Sequence, residues 1–185
     1  MAMDRLTTTI RPVAPFDFEL TAGYHTYFQS RYGTDSMEDG VYGRLLDLGD
    51  KLVLASVRSA GTVGSPELAL ELQGPGLVSE DVDRASEKVS WLLGVDQDLA
   101  PFYELGRADE AMSGLVDEFY GLHLPHTATA FEALVLAVLG QQISTSVARI
   151  IRTLLIETFG PSAEFDGETY YAFPRPESIW ASSPA

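Results

Sequence analysis

Hydrophobic and polar positions switch between strand and helix periods along the first half of this chain and keep helical spacing beyond it. Leu6–Val13 (LTTTIRPV) is β-branched and near-alternating and predicts a first strand, stopped by Pro12 and Pro15. Phe16–Tyr32 predicts a helix capped by Asp17 and ended by Gly33, with Tyr24, Tyr27 and Phe28 on an aromatic face. Val41–Leu48 and Lys51–Val57, joined by Gly49-Asp50, predict a hairpin. Glu67–Gln73 (ELALELQ) alternates strictly, as a half-buried strand does, and Gly74-Pro75-Gly76 breaks the chain after it. Ser79–Leu93 then takes up helical spacing at Val82, Ala85, Val89, Leu92 and Leu93, with Glu80, Asp81 and Asp83 near its start and Gly94 closing it. Beyond Gly94 nothing reads as a strand. Short helices are expected over Asp98–Leu105 and Asp109–Tyr120, separated by Gly106, followed by a connector at Leu122–Thr129. The expected fold class is α+β: an antiparallel sheet with two helices (residues 1–97), then the first helices of an all-α unit (residues 98–185).

The most informative stretch is Phe131–Gly160 (FEALVLAVLGQQISTSVARIIRTLLIETFG). It reads as an apolar helix, a polar break at Gly140-Gln141-Gln142-Ile143, and an amphipathic helix capped by Ser144. Two readings of the break stand side by side. In one, the glutamine amides satisfy the orphaned groups of two buried helix ends, and Ile150, Ile151, Leu154, Leu155 and Phe159 are core. In the other, two uncharged amide side chains at a helix N-terminus face a nucleic-acid backbone or a base edge. The segment holds no acidic residue between Glu132 and Glu157, but two arginines, Arg149 and Arg152.

Charge changes the picture. The chain of 185 residues has a formal net charge of -15. Residues 1–121 hold 21 acidic and 9 basic residues and residues 122–185 hold 6 and 3, so the N-terminal part cannot be a polyanion-binding face. With zero cysteines there is no disulfide framework and no thiolate site. The longest apolar run, Ala133–Leu139, is too short to span a bilayer, and the N-terminus carries no signal core, so a cytoplasmic location is expected.

Familiar catalytic constellations are missing: no GxGxxG, no phosphate loop, no GxSxG. His25, His123 and His126 are too few and badly spaced for a metal site, and no cofactor is expected. The carboxylates read as solvated faces and helix-dipole partners, and Trp91 and Trp180 as core.

LGQQIS (Leu139–Ser144) within these two helices resembles the opening helices of the helix-hairpin-helix DNA glycosylases, in particular the DNA-3-methyladenine glycosylase II branch. GLHLP (Gly121–Pro125), Phe159-Gly160, YYAFPRPESI (Tyr170–Ile179) and PFDFELTAGY (Pro15–Tyr24) fall in the family's order. The resemblance implies a TBP-like N-terminal domain, a hydrolase of N-glycosidic bonds acting in base excision repair, and damaged double-stranded DNA as partner. It implies that Gln142 wedges into the DNA stack where the damaged nucleotide is flipped out, and that Gln141 lines the same gap. It places Tyr24 in the base pocket, where its ring can stack on a cationic alkylated base; a core aromatic is the other reading.

The family's phosphate-gripping hairpin and catalytic aspartate match nothing in this sequence, and neither Asp117 nor Asp166 stands at the matching place. The sequence thus reads as the N-terminal part of a glycosylase, inactive alone, with an apolar helical face that favours self-association. The alternative is a non-catalytic nucleic-acid- or protein-binding module built on the same fold. A third reading, a relative acting on oxidised guanine, differs by a lysine ahead of the aspartate.

Overall fold

The computed structural model describes residues 3–181. Its elements run β1 (Asp4–Ile10), α1 (Phe18–His25), β2 (Arg31–Tyr32), β3 (Asp35–Glu38), β4 (Val41–Asp47), β5 (Leu52–Ser59), β6 (Leu68–Gly74) and α2 (Ser79–Leu93). Then come α3 (Ala100–Ala108), α4 (Ser113–Glu118), α5 (Ala130–Leu139), α6 (Thr145–Phe159), β7 (Ser162–Phe165), β8 (Glu168–Tyr171) and α7 (Pro176–Ala181). The first six strands form one sheet in the order β1-β6-β5-β4-β3-β2, antiparallel throughout. The α+β class expected from the pattern is the class found.

Period two along the strands sorts the side chains. Leu46, Val53, Val57, Leu70 and Leu72 point to one face and bury against Phe18 and Ala22 of α1 and Ala85, Val89, Leu92 and Leu93 of α2. Leu45 and Leu54, paired across β4 and β5, point to the other face and meet Phe165 and Ala172. Gly94 closes α2 in the left-handed conformation at φ 59°.

Several expectations are corrected. Helix α1 stops at His25, half the expected length, because Thr26 turns back on it: the Thr26 hydroxyl and the Phe28 N–H both donate to the Gly23 carbonyl, at 3.1 and 2.7 Å. Residues beyond that turn form the edge strand β2, and Gly33 serves the β2–β3 turn at φ 63° rather than a helix end. Gly106 lies inside α3, where a Cβ would sit 2.4 Å from a Val116 methyl; it is the close-approach point for α4, not a break.

The absence of strands beyond Gly94 is also overturned. β7 and β8 form a hairpin around Asp166-Gly167, both with positive φ, a turn dipeptide of the hairpin type that was legible in the sequence. Trp91 and Trp180 are exposed (58% and 84%), not core. Trp91 instead stacks on His126 at 4.4 Å and donates to the Thr127 carbonyl. On α6, Ile150, Ile151 and Leu154 face solvent and Leu155 and Phe159 are half-buried; Ile156 is the buried residue.

Candidate nucleic-acid interface

The α5–α6 turn is built by its helix ends. The Thr129 hydroxyl accepts from the Glu132 N–H at 3.0 Å to start α5, and the Gln141 N–H donates to Val138 O at 3.1 Å as α5 unwinds. The Ser144 hydroxyl accepts from the Val147 N–H at 3.4 Å to start α6. Backbone groups and Ser144 thus satisfy the helix ends. Among the described residues neither Gln141 nor Gln142 makes a side-chain hydrogen bond, and both are exposed. The reading in which these amides cap buried helices is not the arrangement found. Gln142 also sits at φ 58°, a conformation that costs an L-residue with a Cβ about 1–2 kcal/mol. Strain of this kind collects at functional turns.

Tyr24, near the end of α1, is not core: the residue is 46% exposed. It stacks on Tyr27 at 5.9 Å with 25° between planes, and Tyr27 meets Tyr32 at 4.7 Å. The far end of this aromatic column is closed by Arg152, whose guanidinium lies 4.6 Å from the Tyr32 ring centre. Tyr27 and Phe28 hold positive φ values of 51° and 55° and are 54% and 66% exposed.

Behind the column lies an ionic centre that the sequence did not reveal. Asp35, Arg44 and Glu132 are buried, 1%, 3% and 1% exposed. Arg44 donates to both Asp35 oxygens at 2.9 and 3.2 Å and to both Glu132 oxygens at 3.1 and 2.9 Å. The Tyr42 hydroxyl donates to Asp35 at 2.5 Å and the Thr34 hydroxyl at 3.0 Å, while the Ala128 N–H donates to Glu132 at 3.0 Å. Arg152 adds a second guanidinium 3.9 Å from Asp35, so two carboxylates face two cations. Burial alone would push the Asp35 carboxyl up, but Arg44, His25, the Tyr42 hydroxyl and Arg152 outweigh it and hold it below the usual carboxylate range. Burial lowers His25, which lies 3.9 Å from Asp35 and hydrogen-bonds the Leu92 carbonyl oxygen at 2.9 Å.

These carboxylates are therefore not the solvated ones expected. Asp81 is buried as well, 2% exposed, but it serves the start of α2 as expected, accepting from the Val78 N–H at 3.0 Å, and it accepts from Lys51 at 2.9 Å. Asp117 and Asp166 are surface groups near Arg107 and Arg5. His123 sits buried between the Gly94 and Pro15 carbonyls, a structural clamp. Among the described residues no group of His, Asp and Glu is placed to hold a metal ion, and no helix is long and apolar enough to cross a membrane.

No family model matches the chain. It is 28% identical over 172 residues to "DNA-3-methyladenine glycosylase" of Bacillus subtilis, covering 91% of this chain and 55% of that protein. In fold it is similar to "3-methyladenine dna-glycosylase from Archaeoglobus fulgidus", with TM-score 0.78 and 23% identity over 95% of this chain and 58% of that one. It is also similar to an 8-oxoguanine glycosylase/lyase from Clostridium acetobutylicum in complex with dsDNA containing cytosine opposite to 8-oxoG. There the TM-score is 0.66 and the identity 15%, over 97% of this chain and 56% of that one. The resemblance to the helix-hairpin-helix DNA glycosylases thus extends over nine-tenths of the chain in sequence, and the fold is theirs. The chain spans just over half the length of these relatives.

Proposed function

We propose that the chain carries the lesion-probing part of a DNA glycosylase that flips out and excises alkylated purines in base excision repair. Gln142 enters the stack, Gln141 lines the gap beside it, and Tyr24 offers a ring face to the cationic base. Residues 1–97 form the TBP-like unit and residues 98–185 open the helical unit. The observation that carries this reading is Gln142 itself: exposed, without a side-chain partner among the described residues and held left-handed at the tip of the α5–α6 turn, where the family resemblance puts the wedge. No aspartate here matches the family's catalytic one, so the 185-residue chain is expected to be inactive alone.

Two measurements test the proposal. The isolated chain should release no 3-methyladenine from methylated DNA; measurable release overturns the predicted inactivity. It should bind a duplex with one abasic site more tightly than the intact duplex, and Gln142→Ala should abolish that preference. Equal binding of the two duplexes by the parent chain removes the wedge assignment. It leaves the protein-binding module, which the acidic N-terminal surface favours.

A further inference from the structure

The two arginines of the acid-free segment look toward the protein. Arg149 Nη1 donates to Gln29 Oε1 at 2.7 Å. Arg152, three residues on and so on the same helix face, lies over the Tyr32 ring and 3.9 Å from Asp35. Gln29 and Tyr32 both belong to the segment that follows α1 and carries the aromatic column. We propose that Arg149 and Arg152 are positioning residues, not phosphate contacts: they lock α6, and with it the Gln142 turn, to the column ending at Tyr24. Probing side chain and stacking face are then held as one unit. The inference rests on the function proposed above for Gln142 and Tyr24.

Three further observations support it. Among the described residues Arg152 Nε, a buried polar atom, has no hydrogen-bond partner, so the guanidinium is placed by Tyr32 and Asp35 at the expense of that N–H. Gly33, at φ 63°, leaves the room this needs: a Cβ there would lie 2.5 Å from Arg152 Nε. The preceding helix is tied to the same centre, because Glu132 in the first turn of α5 binds Arg44, which binds Asp35. Both helices flanking the glutamine turn are thereby fastened to the β3–β4 end of the sheet, one through Glu132 and one through Arg152.

The test sets positioning against phosphate contact. Each neutralised phosphate adds about 0.9 to the slope of log affinity against log salt. In the 185-residue chain, Arg149→Gln and Arg152→Gln should leave that slope at the parent value while the preference for the abasic duplex falls to the level of Gln142→Ala. Arg149→Lys, which can still donate to Gln29, should restore it. A slope reduced by about one with the preference kept makes these residues phosphate contacts and overturns the proposal. An unchanged slope with an unchanged preference overturns it too. If Arg152→Gln fails to fold, the exposed Arg149 variants carry the decision.

A second measurement needs no DNA. In chain labelled with 3-fluorotyrosine, the Tyr24 fluorine signal is assigned by Tyr24→Phe. Arg149→Gln should shift or broaden it in the folded protein, and Arg149→Lys should return it. A Tyr24 signal that does not move overturns the positioning role. If the parent shows no abasic preference, the Gln142 assignment fails and the Tyr24 signal still decides this one.

Discussion

Arg44 on β4 and Glu132 in the first turn of α5 form a two-pronged contact, 3.1 and 2.9 Å, in a place closed to water. The residues are 88 positions apart, so this pair joins the sheet to the helix that leads into the glutamine turn. Asp35 holds the other side of the same guanidinium. Removing one partner of such a centre leaves uncompensated buried charge.

Arg44→Met strands two carboxylates. It is expected to lower stability by about 3–5 kcal/mol, read as a fall in the urea midpoint with the slope kept. A loss under about 1 kcal/mol, the range of an exposed ion pair, would show that the centre is hydrated in solution.

The same centre sets the acid response. His25 is lowered by burial, so the unfolded chain takes up its proton first, and stability declines as pH falls below about 6.5. Asp35 is held below its ordinary range. Its contribution is full above the unfolded value of about 3.9 and is lost as pH falls through the lower folded value. Urea midpoints between pH 8 and pH 3 should therefore fall in two stages. His25→Asn should remove the upper stage and leave the lower one; a profile it does not change refutes the assignment.

Gln142 separates stability from function. Gln142→Gly relieves the left-handed strain and should leave stability unchanged or raise it by up to about 1 kcal/mol, while the preference for abasic DNA is lost. Denaturant unfolding and anisotropy titration of the same preparations report the two halves. Destabilisation by the glycine would mean that the glutamine side chain holds the turn.

The helical face is apolar and open: Leu134, Val138, Ile150 and Leu154 are 64%, 57%, 56% and 58% exposed. Surface of this kind drives association. The 185-residue chain is expected to sediment as more than a monomer at micromolar concentration, and Val138→Glu with Leu154→Glu to return it to monomer. A monomeric parent would contradict this.

Four of the six sheet strands and α2 were legible because their signals are local: strict alternation in ELALELQ, helical spacing from Val82 to Leu93, a glycine at the end; β2 and β3 were not foreseen. The glutamine turn was legible because Gly140 and Ser144 punctuate it. The ionic centre was not, since Glu132 lies 88 positions from Arg44, the β3 strand that sets Asp35 opposite Arg44 was not foreseen, and each residue looks like an ordinary surface charge until the fold brings them together. Helix α1 was drawn too long for a different reason: Tyr27 and Phe28 keep helical spacing, and the local turn of Thr26 and Phe28 back onto the Gly23 carbonyl overrides it. Exposure of Ile150 and Leu154 was hidden as well, because an amphipathic pattern says which face is apolar and not what covers it.

The β7–β8 hairpin covers Leu45 and Leu54 from behind the sheet. The strands it shields leave the ribosome about a hundred residues before Phe165 and Ala172 do. Until then that end of the sheet stays wetted on one face, however well α1 and α2 have closed the other. The first 97 residues thus form a recognisable unit of pattern that is not yet a finished unit of folding. An emerging chain can cover the second face of its sheet only after the residues of the glutamine turn have been made.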